Sequence, residues 1–61
     1  MSLSDKRKAA GVTQEFLAKK LNVTQQAVAR WETGQAYPRA ALLPKIAQVL
    51  GCTVDELLKE Q

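Results

Sequence analysis

The sequence predicts an all-α fold, a compact domain of about five short helices. Three observations predict it. A device of apolar residue, Thr, three residues, apolar residue occurs as Val12-Thr13…Leu17, Val23-Thr24…Val28 and Cys52-Thr53…Leu57. Residues that end helices, Gly11, Asn22, Gly34 and Gly51, divide the chain into helix-length pieces. Two helix patterns stand back to back in TQEFLAKKLNVTQQAVARWE (residues 13–32), with only Asn22 and Val23 between them.

The elements follow in chain order. The first helix is expected from near Ser4 to Ala10 and stops at Gly11, which supplies the left-handed residue that ends helices. Thr13 is an N-cap for the second helix, Gln14 to Leu21, and Val12 with Leu17 matches the hydrophobic staple. Asn22 takes the left-handed position at the joint, being the residue type after glycine that best tolerates positive φ. Thr24 opens the third helix, Gln25 to about Thr33, which ends at Gly34 before a loop through Pro38. In a helix interior Pro44 would cost about 3 kcal/mol, so the fourth helix is expected to begin at Pro44, with Arg39 to Leu43 a separate turn. It carries the apolar positions Leu42, Leu43, Ile46, Ala47, Val49 and Leu50 and ends at Gly51. Thr53 and Glu56 form a capping box for the fifth helix, Val54 to about Lys59, burying Val54, Leu57 or Leu58.

No linker, low-complexity tract or internal repeat is visible, so residues 1–61 read as one domain with a helix-turn-helix at about 14–33. A joint this tight holds its two helices at a fixed, large angle, which in a small basic domain presents the second of them to the major groove of DNA. At about 100° per residue, Ala27, Val28 and Trp31 cluster on one side of the third helix, and Gln25, Gln26, Ala29 and Arg30 on the other. The first side must be buried. The second offers two amides, a guanidinium and a small residue that lets a base edge approach.

Composition narrows the class. Sixty-one residues allow a single small core. With one cysteine, Cys52, and no histidine, the sequence excludes an intramolecular disulfide, a zinc site of the usual Cys/His kind and any imidazole catalysis. No metal, cofactor or small-molecule substrate is expected, and Cys52 reads as a small apolar member of a staple. No apolar run approaches the roughly 20 residues of a membrane span, and no apolar signal-peptide core follows the N-terminus. The expectation is a soluble, cytoplasmic protein that does not touch membrane. The net charge of +3 is uneven: residues 1–45 carry +5 and residues 46–61 carry −2. A positive N-terminal part is the footprint of a phosphate-binding surface.

The pattern Leu17-Ala18, Asn22-Val23-Thr24, Val28, Trp31-Glu32, Gly34, Pro38 and Leu50-Gly51 resembles the phage repressor and Cro-like helix-turn-helix family. The resemblance runs from Leu3 to Leu58, and Thr24-Gln25-Gln26 is similar to lambdoid phage repressors in particular. It implies a five-helix, lambda-repressor-like DNA-binding domain. It also implies an ion pair between Arg7, four residues before the first helix's glycine, and Glu32 at the end of the third helix. Leu3 fits the family's first core position. Two residues depart from the pattern. Phe16 stands where relatives usually carry a polar residue; it is read as capping the core against the first helix, with an exposed contact for another domain as the alternative. Trp31 replaces a residue more often aliphatic and, by its facing, packs inward.

A glutamine amide offers donor and acceptor together, which suits adenine N6 and N7, so Gln25 and Gln26 are candidate base readers. Arg30, one turn beyond Gln26, reaches guanine or a phosphate. Gln14 opens the second helix, where unpaired N–H groups attract an anion, and Thr24 is a further phosphate candidate. Gln35, Tyr37 and Arg39 resemble the family's second backbone clamp, and Lys6, Lys8 and Lys45 are additional basic candidates. Relatives bind as two-fold dimers, which implies a homodimer on a palindromic operator; the surplus apolar residues at 54, 57 and 58 place such an interface between Leu50 and Leu58.

The expected function is sequence-specific binding of double-stranded DNA by a transcription regulator, a repressor, without catalysis. The alternative is a protein-interaction module such as an antitoxin or coactivator fragment. An enzyme is disfavoured because Cys52 has no histidine to activate it.

Overall fold

A computed structural model describes residues 1–59. Five α-helices and one 3-10 turn follow in order: α1 (Leu3–Ala9), α2 (Gln14–Leu21), α3 (Gln25–Thr33), the turn Ala40–Leu42, α4 (Leu43–Leu50) and α5 (Val54–Leu58). Among the described residues there is no strand.

Threonine caps start three of the helices. The hydroxyl oxygens of Thr13, Thr24 and Thr53 accept hydrogen bonds from the backbone N–H groups of Phe16, Ala27 and Glu56 at 3.0, 3.1 and 3.0 Å. The Glu56 carboxylate accepts from the Thr53 N–H at 2.9 Å, which completes the capping box. At the joint, Asn22 is left-handed with φ 60° and ψ 42°, and the Val23 N–H returns to the Ala18 carbonyl at 2.9 Å. That single reversed residue sends α3 off at an angle to α2 while both keep their apolar faces on one core.

Three helices differ in their boundaries from the sequence expectation. Helix α1 begins one residue early, because Ser2 is anchored: its N–H donates to the Leu57 carbonyl at 3.0 Å and its hydroxyl to the Glu56 carbonyl at 2.8 Å. The Ser2 carbonyl then receives the Lys6 N–H at 3.0 Å, closing the first helical turn. Ala10 ends α1 still right-handed, and Gly11, with φ 74°, makes the reversal. Helix α4 starts at Leu43, so Pro44 is its second residue, a place where a missing N–H removes no bond inside the helix. Helix α5 stops at Leu58, with Lys59 extended.

Every helix contributes to the core, which is built on Leu3, Leu17, Leu21, Val28, Trp31, Ile46, Leu50 and Leu57. Leu3, Leu17, Val28, Ile46 and Leu57 are fully enclosed. Each such side chain contributes roughly 1.5–3 kcal/mol of burial before conformational entropy is subtracted. Trp31 belongs to this core, and Cys52 is half-buried against it. Burial pushes the Cys52 thiol above its ordinary pKa, with the Glu56 charge adding to the rise and Lys6 opposing it. It is a packing residue, poor in thiolate.

Phe16 does not cap the core. It is 44% exposed, and the Lys20 ammonium sits over its ring, 5.5 Å from the centroid. Its place on α2 is nearly opposite the buried face of Leu17, Ala18 and Leu21, too far round the helix to reach inward.

Candidate nucleic-acid interface

Helix α3 divides into the two faces that its sequence implies. Val28 and Trp31 are buried, while Gln25, Gln26 and Arg30 are exposed on the opposite side. Ala27, on the buried side, and Ala29, between Gln25 and Gln26, are each half-buried. The exposed face has no carboxylate; it presents two neutral amides and a guanidinium.

The segment after α3 is folded back onto the end of that helix. The Arg30 carbonyl accepts from the N–H groups of Gln35 and Ala36 at 2.9 and 3.3 Å and from the Thr33 hydroxyl at 3.2 Å. Gly34, left-handed at φ 83°, makes the turn possible. Pro38 is buried and pins the loop, leaving Gln35, Tyr37 and Arg39 exposed around it. Tyr37 is 71% exposed, the most uncovered of the large apolar side chains.

Behind α3 lies a polar cluster that holds the motif to α1. Arg7 Nε donates to Glu32 Oε2 at 2.6 Å and its terminal nitrogen to Oε1 at 3.3 Å, a two-pronged pair. The side chains are only 13% and 7% exposed. The other Arg7 terminal nitrogen donates to the Val12 carbonyl at 2.8 Å. Burial alone would raise the Glu32 pKa; hydrogen bonds from Arg7 and Gln14, with the charges of Arg7 and Lys8, outweigh it and hold the carboxyl below its ordinary 4.5.

Gln14 makes contacts that the sequence does not disclose. It is half-buried, and its Nε2 donates to Glu32 Oε1 at 2.9 Å. Its carbonyl oxygen accepts from Gln25 Nε2 at 3.5 Å. The first residues of α2 and α3 are therefore joined through their amides. No sequence spacing signals a contact between side chains on different helices. Thr24 is exposed with its oxygen engaged by its own helix, and its hydroxyl proton remains available to an acceptor. Beside α3, an open groove of about 510 Å³ is lined by Thr13, Glu15, Phe16, Ala18, Lys19, Val23 and Gln25. Among the described residues no cluster of His, Cys, Asp or Glu could hold a metal ion, and no helix is long and apolar enough to cross a membrane.

A family model described as helix-turn-helix matches residues 3–57. The chain is similar to the HTH-type transcriptional activator BcrR of Enterococcus faecalis, 39% identical over 56 residues, which cover 92% of this chain and 28% of that protein. It is also similar to the SPbeta prophage-derived uncharacterized HTH-type transcriptional regulator YonR of Bacillus subtilis, 36% identical over 53 residues, 87% of this chain and 49% of that protein. The uncharacterized HTH-type transcriptional regulator YazB of Bacillus subtilis is 39% identical over 51 residues, 84% of this chain and 74% of that protein. The chain thus spans well under two thirds of BcrR and YonR. No solved structure gives a comparable match.

Proposed function

The chain belongs to the Cro/repressor-type helix-turn-helix family, and on that premise we propose that it binds double-stranded DNA sequence-specifically, with α3 in the major groove, to regulate transcription. The observation that carries this reading is the two-sidedness of α3, with Gln25, Gln26 and Arg30 exposed and Val28 and Trp31 buried. Gln25 and Gln26 read base edges, their amides suited to adenine, and Arg30 contacts guanine or phosphate. Gln14, Thr24, Gln35, Tyr37 and Arg39 flank α3 on both sides and contact the sugar–phosphate backbone. Arg7 and Glu32 hold the reading helix in place and do not touch DNA. A domain that occupies DNA blocks access to it without further contacts, so repression is the action proposed.

Selection of bound sequences from random duplexes tests the assignment. Gln25→Ala and Gln26→Ala should each relax preference at one position, costing about 1–3 kcal/mol against the best site. Unchanged preference in both variants would overturn the choice of readers. Salt separates DNA binding from a protein-interaction role. Affinity should fall by roughly 0.9 log units per log unit of salt for each phosphate contacted, whereas a salt-insensitive partner would favour a protein ligand.

A further inference from the structure

We propose that Glu32 is a positioning residue for base reading, because its carboxylate fixes the polarity of the Gln14 amide and, through it, that of Gln25. The inference rests on the reading of Gln25 as a base contact. An ionised carboxylate only accepts hydrogen bonds, so the end of the Gln14 amide that faces Glu32 must be its NH2, here 2.9 Å away. The Gln14 carbonyl oxygen is then turned to Gln25, which must answer with its own NH2, at 3.5 Å. Gln25 keeps its carbonyl oxygen and one N–H for a ligand. That remainder, one acceptor and one donor, complements adenine N7 and N6 and fits poorly against guanine, whose O6 and N7 both accept. The chain of bonds starts from a rigid source. Arg7 grips both Glu32 oxygens, at 2.6 and 3.3 Å, and is itself tied to the Val12 carbonyl at 2.8 Å. A charge pair between α1 and α3 therefore governs the hydrogen-bonding order of the first residue of α3.

Gln14→Lys isolates the effect. The ammonium still donates to Glu32, so the Arg7–Glu32 pair keeps its surroundings, but lysine has no acceptor for Gln25. Two readouts are compared with wild type. One is the ratio of affinities for duplexes that carry adenine or guanine at the base pair where Gln25→Ala relaxes preference; a ratio is insensitive to any general change in phosphate affinity. The other is the nitrogen-15 relaxation of the Gln25 side-chain amide in the free protein. The expected result is a ratio smaller by roughly three- to tenfold, the worth of one hydrogen bond, together with a more mobile Gln25 amide. Glu32→Gln, whose amide faces Gln14 in either sense, should lower the ratio likewise, and the double variant should lose no more than either single one. An unchanged ratio, or an unchanged amide, in Gln14→Lys overturns the proposal. A Gln25→Ala variant with no effect at any base pair would instead overturn Gln25 as a reader, while amide relaxation still reports on the relay by itself.

Discussion

At the scale of single residues, the Arg7–Glu32 pair is the most consequential polar contact, because both charges are mostly removed from water. Glu32→Ala leaves the guanidinium with only the Val12 carbonyl. The expected cost is about 3 kcal/mol, the low end for stranding a buried ion, and a fall in Tm of roughly 10 °C or more. A melt shifted by only a degree or two would show that solvent, not Glu32, satisfies Arg7. The sign of the pH dependence follows from the carboxyl being held below 4.5 in the fold. Its contribution is fully present above that unfolded value and is lost as pH falls through the folded one, so Tm should decline in acid, less steeply in Glu32→Gln. Arg7 and Glu32 were legible from the family resemblance. The Gln14 link to them was not, since two helix-spaced residues eighteen positions apart carry no mark of meeting.

At the scale of elements, stability is concentrated at helix ends, since helices of five to nine residues cannot stand on propensity. Thr13 illustrates this. It is exposed and buries nothing, yet its oxygen receives the Phe16 N–H that α2 cannot satisfy internally. Thr13→Ala should cost about 1 kcal/mol, or roughly 4–8 °C in Tm for so short a chain, and Thr13→Ser should recover most of it. An unaltered melt in the alanine variant would mean that water serves the cap equally well. Caps and stops were the most legible features, because Thr13, Thr24, Thr53, Asn22 and Gly34 act within their own turn. Phe16 shows the limit of the same reading: it is apolar, yet the helical period sets it almost opposite Leu17, Ala18 and Leu21, and it stays 44% exposed instead of capping the core. The early start of α1 was beyond local reading, because the cause is Ser2 bonding carbonyls 54 and 55 residues away.

At the scale of the whole molecule, dimension decides how two copies could share an operator. The Cα framework measures 23 × 22 × 21 Å, whereas half-sites one helical turn apart have centres about 34–36 Å from each other. Even after side chains are added, two such bodies meet only along their edges. The exposed apolar surface at the end of α5 is correspondingly small: Leu58 is 47% exposed, while Leu57 is enclosed and Val54 half-covered. An edge contact of this kind falls below the roughly 1,000 Å² expected of a stable interface, so association should depend on DNA holding the copies side by side. Sedimentation is expected to find a monomer alone and two copies on a palindromic duplex with half-sites one turn apart. Inserting about five base pairs, half a helical turn, moves the second copy to the far side of the duplex and should abolish cooperativity while leaving each half-site occupied. Leu58→Glu should have the same effect without altering preference within a half-site. Cooperativity that survives both changes would place the contact elsewhere, and one copy on an ideally spaced palindrome would exclude pairing through α5.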